Sequence, residues 1–304
     1  MNRPFADMPY GYPPSICYPL TEICMYILFL GCLYHAWKQG ISKLAYLLGG
    51  FGFGLLLEYV NVRANAGYRY GHFLLMIGDI PVGIGAGWGI IMYTSRLITE
   101  SMNMRTWPAA AMEALLALSI DWSMDVVAYR LHMWHWNWET IINPSVALSA
   151  QYFGVPWGNF YGWLCVVFFY SLFSRYLEKT HIWKIAIPLF AILISQIALY
   201  VTLFPISFFL KDHFNILSAD KLVFTLLFFA MLTTIEIIKM KRQPLNLPFI
   251  TWLVPAWFHI YFFCWLFIGG FAAENTWMTI LSVLSLLVGT LIHWLLILNT
   301  KSRT

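Results

Sequence analysis

The chain has 304 residues, of which 60% are hydrophobic and only 11% charged, and its mean hydropathy is +0.69. A water-soluble domain carries roughly a quarter charged residues, so the excess apolar surface must face lipid, which excludes a soluble globular protein. The net charge of +4 comes without a basic block or arginine-rich tail, which argues against a nucleic-acid partner.

The expected class is an all-α polytopic transmembrane helical bundle, because the apolar runs are continuous rather than the alternating segments of about ten residues that build a membrane β-barrel. Residues 1–14 are rich in Pro, Tyr and Gly, with Arg3 the single basic residue, and lack the basic start and small-residue cleavage site of a signal peptide. The first apolar segment is therefore expected to remain as a span. About nine spans are predicted, at 17–37, 44–62, 79–98, 107–128, 158–177, 183–204, 221–240, 249–271 and 276–298. Eight remain possible, since only a short turn around Glu274 separates the last two. Lys and Arg divide twelve to six between the alternate sides, which places the N-terminus outside and the C-terminus inside. The expectation is one integral membrane domain over residues 1–304, in a bacterial cytoplasmic membrane. No internal repeat is visible in the sequence.

Polar side chains interrupt these spans at one level. Glu58 in the second span and Asp121 in the fourth each lie about 21 Å from the cytoplasmic end at 1.5 Å per residue, and Asp125 follows one turn after Asp121 on the same face. Asp79, Asn159 and Glu22 fall in the same outer half. A charge inside a bilayer is costly, so Glu58, Asp121 and Asp125 should be paired, protonated or lining a polar cavity. Ion pairing with Arg63, Arg69 or Arg130 is the structural alternative to a functional role; a desolvated carboxylic acid that stays neutral could donate a proton. Glu113 and Glu236, toward the other end, read as packing or boundary residues.

Other features have plainer readings. The glycine clusters 49–54 and 83–89 follow no strand and lead to no Lys-Ser/Thr pair, so close helix packing accounts for them better than phosphate binding. His132 and His135 could ligate a metal, but the remaining histidines are scattered, and interfacial residues beside tryptophans are the simpler reading; no metal or cofactor is expected. The five cysteines form no CxxC pair and read as small buried hydrophobes. The long connection 129–157 carries several indoles, which form either an interfacial belt or the lid of a cavity.

Two stretches carry a family resemblance. Glu58 to Tyr93, through Tyr68-Arg69-Tyr70 and Gly78-Asp79-Ile80-Pro81 to Trp88, and Asp121 to Trp163, through Trp136, Trp138, Tyr152-Phe153-Gly154-Val155-Pro156 and Asn159 to Gly162-Trp163, resemble membrane carotenoid-biosynthesis proteins that include the carotenoid 1,2-hydratases and bisanhydrobacterioruberin hydratase. The likeness spans about 45–177. It departs at 61–67, where those hydratases carry a Gly-rich segment containing Pro-Phe-Gly. The resemblance implies a cofactor-independent enzyme adding water to the terminal 1,2 double bond of an acyclic carotenoid or other long isoprenoid. Such chemistry needs an acid to protonate the alkene, π faces to stabilise the tertiary cation and a polar group to place water. The candidates are Asp121 or Asp125 as acid, Glu58 as its partner and Asn159 for water, with Trp88, Trp122, Tyr70, Trp136, Trp138 and Trp163 binding substrate. A non-catalytic isoprenoid-binding protein and a small-molecule transporter are the alternatives, the latter weakened by the absence of visible repeats.

Overall fold

The structure is a computed structural model describing residues 16–63, 67–136, 150–240, 245 and 247–301, with side chains through residue 292. Nine helical segments are found among the described residues: α1 (Cys17–Gln39), α2 (Ile41–Arg63), α3 (Val82–Ser101), α4 (Thr106–Arg130), α5 (Trp157–Leu177), α6 (Ile187–Phe214), α7 (Ser218–Lys239), α8 (Ile250–Ile268) and α9 (Thr276–Lys301). Each predicted span falls on one of them, and α8 and α9 are separate helices joined by a 3-10 turn at Phe271–Ala273. Six are long and apolar enough to cross a bilayer, namely α1, α2, α5, α6, α7 and α8, which marks an integral membrane protein. The prediction of nine spans exceeds that number.

The helices that fall short of this apolarity explain why. α3 and α4 are the two inner helices: α3 packs against α1, α2, α4 and α8, and α4 against α3, α5, α7, α8 and α9. Fifteen of the twenty residues of α3 and nineteen of the twenty-five of α4 are buried. A helix shielded by protein need not be apolar all round, so these two can carry carboxylates, hydroxyls and an arginine. Small residues allow the approach. Ala109, Ala110, Ala111, Ala114 and Ala117 of α4 have no exposed surface, and α2 meets α3 where a Cβ at Gly50 would lie 3.3 Å from the Gly89 Cα.

A repeat hidden in the sequence appears in the fold. α2 leads through strand β1 (Tyr68–Tyr70) and the hairpin β2 (Met76–Ile77) and β3 (Ile80–Pro81) into α3. α4 leads through β4 (Trp134–Trp136) and the hairpin β5 (Gln151–Tyr152) and β6 (Val155–Pro156) into α5. In both hairpins a two-residue turn is followed by a proline that caps the next helix in extended conformation, Pro81 for α3 and Pro156 for α5. Gly83, Gly87 and Trp88 recur 75 residues later as Gly158, Gly162 and Trp163. Between α2 and α4 the offset is 67, which sets Glu58 opposite Asp125. The expectation of no internal repeat is therefore corrected. So few identities survive over so long an interval that only the shared order of elements reveals the duplication.

The two units meet at an antiparallel pair, β1 with β4, in the register Tyr68 to Trp136, Arg69 to His135 and Tyr70 to Trp134. Their equivalent tryptophans, Trp88 and Trp163, stack with ring centroids 4.1 Å apart.

Candidate functional site

The β1–β4 ribbon closes one end of the bundle, and its alternation decides which side chains look inward. Residues two apart on a strand share a face, so Tyr68 and Tyr70 lie beside Trp136 and Trp134 on the side lining the cavity, while Arg69 is exposed. Surrounding segments hold the ribbon in place. Gly71 N–H donates to Met133 C=O at 2.9 Å, the Tyr18 hydroxyl donates to His132 C=O, and Glu22 of α1 accepts from the backbone N–H groups of Leu74 and Leu75.

Beneath this lid the carboxylates fall into two different environments. Glu58 accepts the Tyr68 hydroxyl on Oε2 and the Trp88 indole N–H on Oε1 at 2.9 Å, with a further hydrogen bond to Tyr70. Asn61 donates to the Tyr68 hydroxyl oxygen at 3.2 Å. Donors on both oxygens suit an ionised carboxylate, which can only accept. Burial first, then the neighbouring Glu58, holds the Tyr68 and Tyr70 phenols well above the ordinary tyrosine value, so both remain proton donors to it.

Asp121 and Asp125, one turn apart on α4, are both buried. Two negative charges so placed, without a cation beside them, would be costly. Asn159 of α5 clamps the pair, its Nδ2 donating to Asp121 Oδ2 at 3.2 Å and to Asp125 Oδ2. Among the described residues no Lys or Arg forms an ion pair with Glu58, Asp121 or Asp125: Arg130 binds Glu274 at 2.7 Å, and the Arg63 guanidinium lies over the Tyr59 ring at 5.6 Å. Ion pairs are found elsewhere, Glu113 with Arg175 and Glu236 with Arg105, the two glutamates that read from sequence as packing or boundary positions.

The cavity has two lobes, of about 80 and 290 Å³. Glu58, Tyr68, Trp88, Trp136, Asn159 and Trp163 line both lobes and form the waist between them. Asp125, Tyr70 and Trp134 line the first lobe. Of the residues singled out from sequence, Glu58, Asp125, Asn159, Tyr70, Trp88, Trp136 and Trp163 thus converge. Asp121, fully buried, lies behind Asp125 and lines neither lobe. Trp122 is not brought in. It packs against Tyr152, Trp157 and Phe160, because a residue adjacent to Asp121 on a helix must point to another face. Trp138 lies outside the described residues.

His132 and His135 stack edge-on with ring centroids 5.6 Å apart, and among the described residues no group of three His, Cys, Asp or Glu side chains gathers as a metal site would require. Burial, and then His135, pushes His132 down to about 4, the value of an imidazole kept neutral. Sequence reasoning passed over Tyr68 and the α8 residues Phe258 and Phe262 as site residues. The Tyr-x-Tyr spacing held the signal for Tyr68, once read as a strand of period two rather than as loop; nothing local marks the α8 pair.

The fold and geometry agree with a comparison of the whole chain. A family model described as carotenoid biosynthesis protein matches residues 20–219. The chain belongs to that carotenoid biosynthesis family. No curated protein and no solved structure matches it. The matched segment of this carotenoid biosynthesis protein is broader than the resemblance over 45–177. It runs from α1 to the start of α7 and includes both repeated units, whereas α8, which lends Phe258 and Phe262 to the first lobe, lies beyond it. Membership implies a carotenoid-related substrate, which suits a cavity of aromatic and apolar walls with a few polar groups at its waist.

Proposed function

We propose that the protein is a hydratase that adds water across the terminal 1,2 double bond of an acyclic carotenoid. The observation that carries this reading is the pair of unlike carboxylate environments around one aromatic waist: two buried aspartates, Asp121 and Asp125, held by the single Asn159 amide, and a Glu58 with donors on both oxygens. Acid–base chemistry at a single bond needs one group that gives a proton and another that takes one.

Asp125, the member of the pair that lines the cavity, delivers a proton to C2 of the alkene, forming a C–H bond as the π bond breaks. The tertiary cation left at C1 lies against the indole faces of Trp88 and Trp163. Water attacks C1, and Glu58 takes the proton that the water loses. Return of that proton to the aspartate pair resets the site, and the balance is the alkene plus one water giving a tertiary alcohol. Asp121 keeps the proton available in a place where two buried negative charges would be too costly. Asn159 holds the pair with its N–H groups and leaves its carbonyl for the water.

The wider reading is one integral membrane domain of nine spans, with its N-terminus outside. It rests on the helix positions and the twelve-to-six distribution of Lys and Arg. The repeat removes the earlier argument against a transporter, since duplicated halves are common there; membership of a biosynthetic family now weighs against transport instead. Expression in cells that accumulate lycopene tests the proposal. A pigment heavier by one water is expected from the wild type and not from Asp125→Asn. Unchanged pigment with several acyclic carotenoids, despite stable insertion of the wild type, would sink it.

A further inference from the structure

The two lobes are the two copies of one wall. Gly83, Ile84, Gly87, Trp88 and Ile91 of α3 line the first lobe, and Gly158, Asn159, Gly162, Trp163 and Val166 of α5, all 75 residues later, line the second. Their outer boundaries differ. The first lobe ends on Met25 of α1 and Phe258 and Phe262 of α8, all at most 5% exposed. The second ends on α6 at Leu203, Phe204 and Ser207. There the helix widens into a π turn, Thr202–Ile206, around Pro205, which has no N–H to donate. Phe204 is 37% exposed, and its neighbours Tyr200 and Phe208 are 62% and 57% exposed on the apolar outer surface of α6. The second lobe therefore meets the lipid-facing side of the bundle at α6.

We infer that the second lobe is a lateral channel for the chain of a linear isoprenoid, which enters from the bilayer between α5 and α6 at the π turn and passes the waist to place its end group in the first lobe. This rests on the hydratase reading for the identity of the reacting end, but the channel itself rests on the lobe geometry. A long apolar ligand has its lowest energy in lipid, so a site that takes it sideways spares its transfer through water. The waist polar groups would then meet only the bond that stops beside them, and selection would favour extended, acyclic chains.

Gly162 provides the test, because it lines the second lobe and a Cβ placed there meets nothing within 4 Å. Gly162→Leu fills the channel without a clash, and Gly31→Leu, also with nothing within 4 Å but on the exposed face of α1, controls for the added side chain. Purified proteins in lipid nanodiscs are titrated with lycopene and with geranylacetone, a short acyclic isoprenoid, and binding is read from tryptophan fluorescence. Gly162→Leu is expected to weaken lycopene binding by about tenfold or more while geranylacetone binding stays within about twofold of wild type, and Gly31→Leu to change neither. Lycopene binding left intact by Gly162→Leu overturns the channel, as does an equal loss of both ligands. A wild type that takes up no lycopene overturns it together with the substrate class. Hydration of either ligand, followed by mass in the same samples, reports on the reaction separately: binding that splits as expected with no hydrated product leaves the channel standing and removes the hydratase.

Discussion

The two helix–strand–hairpin–helix units, Ile41–Ser101 and Thr106–Leu177, share a scaffold and differ at a few positions that matter most. Both present a carboxylate at the same place, Glu58 in one and Asp125 in the other, and both place a tryptophan beside it. One turn before the carboxylate the first unit has Gly54 and the second has Asp121; near the start of the following helix the first has Ile84 and the second Asn159. Gly54 leaves room for the Trp88 ring, since a Cβ there would lie 2.6 Å from that side chain, and so lets the indole N–H reach Glu58. Asp121 and Asn159 instead give Asp125 a neighbouring carboxyl group and an amide that holds both. Two like units thus carry equivalent carboxylates in unlike surroundings, which on the proposed mechanism would make one the proton acceptor and the other the proton donor.

Removing either carboxylate breaks the comparison most severely. Asp125→Asn is expected to lower kcat by about 10³-fold and Glu58→Gln by about 10²-fold, the range for loss of a general acid or base, measured as hydrated carotenoid per unit of inserted protein. Asp121→Asn should cost less than Asp125→Asn, because Asp121 lines neither lobe; equal losses would mean that the pair has no inner and outer member. Tyr68→Phe deletes a hydrogen bond to a charged group, worth about 1.5–3 kcal/mol, and should slow turnover by roughly 10- to 100-fold without loss of folded protein.

Gly54→Ala tests the packing half of the comparison. Forcing a methyl group against Trp88 should destabilise by about 1–3 kcal/mol, seen as a lower Tm, whereas Gly162→Ala in the other unit, with open space at its Cβ, should not lower Tm at all. The smallest effect concerns the lid. His132 is lowered in the fold from 6.5 to about 4, so the unfolded chain binds more protons between those values, and the contribution of His132 to stability is present above about pH 6.5 and lost as pH falls through 4. Thermal melts of wild type and His132→Asn should therefore converge as the pH is lowered over that window. Asn suits the left-handed backbone there, where φ is 62°.

Much of the architecture was legible in the chain. Continuous apolar runs located all nine helices, since burial in lipid or protein demands the same composition along about twenty residues. Rise per residue placed Glu58 and Asp121 at one level, and in the structure Glu58 and Asp125 line one lobe. Two things were not legible. A Tyr-x-Tyr and a Trp-x-Trp separated by more than sixty residues become neighbours only by pairing across two units. The orientation of Trp122 away from the cavity depends on which face of α4 meets α3 and α5, and a helix buried almost all round gives no apolar stripe from which to read that face.

By itself the sequence determined an integral membrane protein of the carotenoid biosynthesis kind, with Asp121 to Trp163 as one wall of its site, because hydropathy and local motifs are properties of contiguous residues. Only the tertiary structure decided that the two walls, Glu58 to Trp88 and Asp121 to Trp163, sit in units of the same element order, that Asp121 stands behind Asp125, and which residues are common to both lobes. Those are contacts between distant segments, and their hydrogen bonds exist only after the helices have packed.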